Sequence, residues 1–161
     1  MKNSFTIQNS LAYYLIAFCV LFGSCITVDV FEKNVPIPGH AWSSQFKPEI
    51  SFDVKDTLSK YNIYVVVRHT DAYQYNNIWV NIYTQLPGDT MKRQRLDLRL
   101  ATDDKGWLGS GMDDIYEHRI LIAPQQSLKR AGEYRFKLEN IMREEPLLYV
   151  LDVGIRVEKA R

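Results

Sequence analysis

The chain has 161 residues, with 20 Lys and Arg against 19 Asp and Glu and a net charge of +1. That is the length of one ordinary domain, with enough chain to build a core. It lacks the basic excess that a general nucleic-acid binder needs.

The first 24 residues read as a secretion leader. Lys2 opens it with a weak positive charge, and Leu11 to Phe22 follow without any charge. Such a run suits a signal-peptide core and is too short to span a bilayer. Gly23 and Ser24 then stand directly before Cys25. Small residues before a cysteine are what a lipoprotein signal peptidase requires, with the Cys25 sulfur carrying the diacylglycerol. The alternatives are an ordinary signal peptide, or a short buried helix with an incidental cysteine. The expected organisation is a leader over 1–24 and one domain over 25–161. Without Lys2, the 20 basic residues fall level with the 19 acidic ones. An acylated Cys25 leaves no thiol for a disulfide, so burial and backbone pairing must hold the fold. Two or more acyl chains make a firm anchor, and the domain is expected to sit tethered at a membrane surface.

Beyond the leader, an edge strand is expected near Val28 and Val30, and Pro36, Pro38, Gly39 and Pro48 make the following stretch irregular. Period-two alternation then dominates. Ile50, Phe52 and Val54 share one face, as do Tyr61, Ile63, Val65 and Val67 in the next run. Ile78, Val80 and Ile82 oppose Trp79, Asn81 and Tyr83, and Leu96, Leu98 and Leu100 interleave with Arg95, Asp97 and Arg99. Ile115 to Ile122 alternate as well, and Tyr134, Phe136 and Leu138 face away from Glu133, Arg135 and Lys137. In the last run Tyr149, Leu151, Val153, Ile155 and Val157 are expected on one face. Strands with one buried face must alternate in this way. Leu86-Pro87-Gly88-Asp89 and Thr102-Asp103-Asp104-Lys105-Gly106 supply turns between runs. The pattern predicts an all-β antiparallel sandwich of seven to eight strands. Helix signals are scarce, with room for one turn over Pro124–Arg130 and another over Asp56–Lys60.

Motifs for catalysis are missing from the sequence. His40, His69 and His118 lack metal-ligand spacing, and His118 on an alternating strand reads as a structural histidine. Asp103, Asp104, Asp113 and Asp114 lack the alternating acids and fixed glycine of a calcium loop, and read as solvated turns. Gly109-Ser110-Gly111 is not a nucleophile elbow, which needs one more residue before the serine. No enzyme activity, cofactor or metal is expected.

Lys105 to Arg119 stands out. Gly106, Gly109 and Gly111 surround Trp107, Leu108 and Met112, and the acids Asp113 and Asp114 follow before a strand begins. One reading has Trp107 cap the core. The other makes Trp107, Leu108, Met112, Asp113 and Asp114 a partner-contact surface, because exposed aromatic side chains are favoured at interaction hot spots. Three tryptophans and ten tyrosines also fit a sugar-binding sandwich, a carbohydrate-binding lipoprotein of nutrient uptake being the alternative function.

Four features together resemble the GldH-type gliding-motility lipoproteins of Bacteroidetes. They are the cysteine site at Cys25, Val30-Phe31-Glu32-Lys33, the block from Gly106-Trp107-Leu108-Gly109-Ser110-Gly111 to Glu117-His118-Arg119, and Met142-Arg143 with the closing stretch Asp152 to Lys159. The resemblance implies a non-catalytic accessory lipoprotein of the motility apparatus, which is linked to type IX secretion. Its partners would be the membrane, through the acylated Cys25, and other envelope proteins of that machinery. Only the acylated cysteine carries over as a functional residue. No dense acidic cluster follows Cys25, which favours a periplasm-facing domain.

Overall fold

The computed structural model describes residues 30–160. The leader, Cys25 and Val28 lie outside the described residues. Eight long strands carry the fold: β1 (Val30–Pro36), β3 (Glu49–Val54), β4 (Lys60–Thr70), β5 (Asn77–Gln85), β6 (Lys92–Arg99), β10 (Ile115–Ser127), β11 (Gly132–Asn140) and β13 (Val150–Lys159). Five short strands complete it: β2 (Ala41–Trp42), β7 (Ala101–Thr102), β8 (Gly106–Trp107), β9 (Ser110–Met112) and β12 (Leu147–Leu148).

Two antiparallel sheets pack face to face. One has the order β1-β13-β4-β10-β9 and the other β3-β11-β5-β6, with β12-β2 and β7-β8 as small ribbons beside them. The alternating residues meet between the sheets. Ile63, Val65, Val67, Val153, Ile155 and Val157 from the first sheet face Ile50, Ile78, Val80, Ile82, Phe136 and Leu138 from the second, all buried. Each such side chain contributes about 1.5–3 kcal/mol relative to exposure. Trp42 is fully buried in this core, and its indole Nε1 donates to the Phe46 carbonyl at 2.9 Å.

The outer face of the five-stranded sheet is polar and tightly paired. Arg156 Nη1 donates to Glu32 at 2.7 Å and its Nη2 to Glu158 at 2.8 Å, while Arg68 Nη1 reaches Asp152 at 2.9 Å. Val66 also points to this outer face, yet it is fully buried. Gly154 pairs with both Asn34 and Val66 in the same row, and a Cβ there would run into the Asn34 side chain and the Lys33 carbonyl. The residue must therefore be glycine.

Three details depart from the sequence reading. Pro124–Arg130 forms no helical turn, because β10 continues to Ser127. Two register shifts against β4 absorb the proline, Gln125 takes a φ of 48°, and its N–H donates to Asn62 Oδ1 at 3.0 Å. A bulge tolerates a residue with no N–H where a regular ladder does not. Asp56–Lys60 is likewise no helix. Asp56 Oδ1 accepts from the N–H groups of Leu58 and Ser59 at 3.0 and 3.1 Å, which closes a turn. Finally, Tyr149 and Leu151 leave the inward face. A register shift between Val150 and Asp152, with Tyr149 at φ 68°, turns Val150 inward instead.

Turn chemistry follows the sequence elsewhere. Gly88 adopts φ 71° and Asp89 N–H donates to Leu86 O at 3.0 Å, so Pro87-Gly88 closes the β5–β6 hairpin. The hairpins sort the connections to two ends of the sandwich. The entry end, where β1 begins, holds the β3–β4, β5–β6 and β10–β11 connections and the end of β13. The far end holds the β4–β5, β7–β8, β9–β10 and β11–β12 connections.

The two ends are oppositely charged. At the entry end Lys55, Lys60, Lys92, Lys129, Arg130, Arg135 and Lys159 stand against Asp53, Asp56, Asp89, Glu133 and Glu158. At the far end Asp71, Asp103 and Asp104, with Asp113, Asp114, Glu144 and Glu145, outnumber Lys47, Arg99, Lys105 and Arg143. A chain of almost no net charge thus folds into a molecule with an acidic pole and a weakly basic one.

Candidate functional site at the acidic end

The far end is built on two inward-facing positions. His69 closes the inward face of β4, and His118 lies on the inward face of β10 beside Tyr116. Their Nε2 atoms stand 2.9 Å apart, with both rings buried. His69 Nδ1 lies 2.6 Å from the Thr70 carbonyl, which can only accept, so Nδ1 carries the proton. Nε2 of His69 is then the acceptor and His118 Nε2–H the donor. Burial pushes both imidazoles below their ordinary value, His118 to about 4 with the His69 charge adding to the effect. Both are neutral at physiological pH.

Rings enclose this pair. Trp107 packs edge-on against His69 with centroids 4.4 Å apart, and Tyr73 and Tyr116 stand 5.0 and 5.8 Å from the same imidazole. The glycines of the block make the approach feasible. A Cβ at Gly109 would strike the Glu117 carbonyl and His118 Cε1, and one at Gly111 would stand 2.7 Å from the Tyr116 ring. Leu108 N–H donates to Leu100 O at 2.8 Å, tying the loop to the residue between β6 and β7.

The structure divides the five residues that the sequence grouped as a contact surface. Trp107 is half-buried and packs against the core, as the capping reading expects. Leu108 and Met112 are exposed, at 47% and 78%, and Asp113 and Asp114 are exposed in the β9–β10 turn, where Asp113 takes φ 56°. Met112, Asp113 and Asp114 border an open groove of about 320 Å³ whose other wall includes Arg68 and Glu117. Asp114 O also accepts from Asp71 N–H at 2.7 Å, which links the β4–β5 and β9–β10 connections.

Sequence reading missed the His69–His118 pair and Tyr73. Alternation placed each histidine on an inward face, but only the β4–β10 register brings residues 49 positions apart together. Asp103 and Asp104 lie in the β7–β8 turn and Asp113 and Asp114 in the β9–β10 turn, both exposed. Among the described residues, no group of three or more His, Cys, Asp or Glu side chains could hold a metal ion.

Fold and site define an antiparallel β-sandwich domain with an aromatic-backed acidic end whose two histidines are buried and neutral. A family model described as GldH lipoprotein matches residues 29–157, and the chain belongs to that family. The gliding motility lipoprotein GldH of Flavobacterium johnsoniae is 29% identical over 160 residues, covering 95% of this chain and 98% of that protein. A gliding motility lipoprotein GldH homolog of Christiangramia forsetii is 22% identical over 167 residues, covering 99% of each. Among solved structures, the infectious bursal disease virus VP2 subviral particle gives a TM-score of 0.35 at 13% identity, over 83% of this chain and 31% of that one. The Yersinia pseudotuberculosis-derived mitogen gives 0.30 at 10% identity, over 80% and 84%. Both likenesses are too shallow to equate the folds.

Proposed function

We propose that this protein is a non-catalytic envelope lipoprotein, anchored through an acylated Cys25, that serves the gliding-motility and type IX secretion machinery. Its domain faces the periplasm and holds partner proteins of that machinery through the far end. One observation carries the contact surface: Leu108 and Met112 are exposed beside Asp113 and Asp114, on a loop that the Trp107–His69 packing holds rigid. Apolar side chains on a preorganised acidic rim suit a basic partner surface, since little ordering entropy is lost on binding.

The alternative, a carbohydrate-binding lipoprotein, would have to use the exposed Tyr75 and Tyr149 more than the tryptophans. Trp42 is buried, the Trp79 ring is covered by the Arg95 guanidinium at 4.4 Å, and Trp107 packs on His69. Each of the three tryptophans is thus engaged within the protein on at least one side.

The test is a gene deletion, read by colony spreading and by secretion of type IX cargo together. Loss of either, restored by the intact gene but by neither Cys25→Ala nor a Leu108→Ser/Met112→Ser variant, supports the anchor and the contact surface. Normal spreading and normal secretion in the deletion strain overturn the reading.

A further inference from the structure

The entry end carries an exposed feature that partner binding at the far end does not use. Leu58 is 96% exposed at the tip of the β3–β4 connection, the most exposed large apolar side chain among the described residues. The loop holding it is braced. Asp56 accepts from the backbone of Leu58 and Ser59 and from Ser59 Oγ at 2.6 Å, and it pairs with Lys159 Nζ at 3.0 Å. Tyr61 OH donates to the Asp56 carbonyl at 2.8 Å. A tip fixed from both flanks holds its leucine out in solvent, although nothing in the fold needs it there. Lys55 and Lys60 flank it in the chain and Lys159 pairs with its loop, while Lys129, Arg130 and, across the sheet, Lys92 share the same end, all exposed, together with the exposed acids Asp53 and Glu133. Met91, also exposed, stands in the β5–β6 connection of the same end.

Chain length decides what this end meets. Five residue steps separate Cys25 from Val30, and a fully extended chain covers at most about 18 Å over that distance. An acyl anchor on Cys25 therefore holds the entry end, and not the far end, within that reach of the bilayer. An exposed leucine among lysines is the chemistry of a peripheral membrane contact. The apolar side chain enters the headgroup boundary while the cations meet anionic phospholipid.

We propose that the entry end of the sandwich docks on the bilayer that holds the anchor, with Leu58 inserted at the headgroup boundary and the surrounding lysines on anionic headgroups. This rests on the acylation of Cys25 for the choice of surface. Docking fixes the domain upright, with basic pole down and acidic pole directed away from the membrane, so that Met112 and Asp113 are presented at full height. A lipid chain alone would leave the domain free to tumble about its tether.

The experiment places a photoreactive benzophenone amino acid at position 58, or at position 112 as control, in the purified full-length protein. Each form is incubated with vesicles of phosphatidylethanolamine and phosphatidylglycerol and irradiated, and cross-linked phospholipid is measured. The expected result is at least tenfold more lipid on position 58 than on 112. A K55E/K60E/K129E variant, or vesicles without phosphatidylglycerol, should reduce it several-fold. Equal labelling at the two positions, or labelling indifferent to the charge reversal, overturns the proposal. The mass of the Cys25 peptide from the same preparation separates the two readings. An acylated Cys25 with no preference for position 58 sinks the docking and leaves the anchor. An unmodified Cys25 with strong labelling at 58 sinks the anchor and leaves the docking.

Discussion

His69 and His118 share one hydrogen bond between their Nε2 atoms, 2.9 Å long, in a chamber walled by Trp107, Tyr73 and Tyr116. The pair ties β4 to β10 beneath the loop proposed as the contact surface. Its neutral state is a condition of the fold there, since protonating both rings would place two positive charges side by side within the protein.

Acid should therefore loosen this end. The folded His118 titrates near 4, below the ordinary value of 6.5, so as pH falls through 6.5 the unfolded chain takes up a proton that the folded chain refuses. The stability linked to this group is present above pH 6.5 and is lost as pH falls toward 4. About 2 kcal/mol should disappear between roughly pH 7 and pH 4.5. Urea unfolding across that interval should show it, and His118→Gln, though less stable at neutral pH, should flatten the dependence. An unchanged slope in H118Q would remove the histidine from this role.

Gly109→Ala should destabilise the fold by about 1–3 kcal/mol, because the new methyl group meets the Glu117 carbonyl, which β10 holds in its ladder. Gly88→Ala offers the comparison. It meets nothing within 4 Å but keeps φ 71°, so its cost is the left-handed strain alone, about 1–2 kcal/mol. Thermal unfolding of the two variants measures the difference in mechanism.

Trp107→Ala and Met112→Ser should separate the two roles that the sequence left joined. Trp107 packs on the core, and its loss should destabilise by about 3 kcal/mol and open the histidine pair to solvent. Met112 is exposed, and its change should alter stability by under about 0.5 kcal/mol while weakening the partner interaction. Denaturant midpoints, read beside colony spreading, would show both.

Arg68→Met should cost about 1–3 kcal/mol at neutral pH, since it strands the Asp152 carboxylate against the sheet without its cation. Burial already raises the Asp152 carboxyl above its ordinary value. A raised acid is stabilising below its unfolded pKa and progressively less so as pH rises through the folded one. The penalty of R68M should consequently shrink on acidification, opposite in direction to the histidine effect. Comparing R68M with R68M/D152N at two pH values tests the assignment.

Much of the fold was legible because period-two alternation is a local consequence of strand geometry. The inward sets on β3, β4, β5 and β11 follow it residue for residue. It failed at Tyr149, where a bulge reverses the face, and the expected helical turn at Pro124–Arg130 is instead a strand carried on through register shifts; a bulge depends on the partner strand's register. The glycines of the 106–111 block were visible as a feature, but their reason was not. Gly109 and Gly111 are required by Glu117, His118 and Tyr116, which reach them only once β9 folds back on β10.

By itself the sequence determined the strand content and the family resemblance, because each rests on neighbouring residues. Only the tertiary structure decided where the charges gather. Acids and bases nearly cancel along the chain, and hairpin connections then send alternate loops to opposite ends. The same long-range pairing seals His69 against His118 and splits Trp107 from Met112, because it alone sets which side chains keep their water.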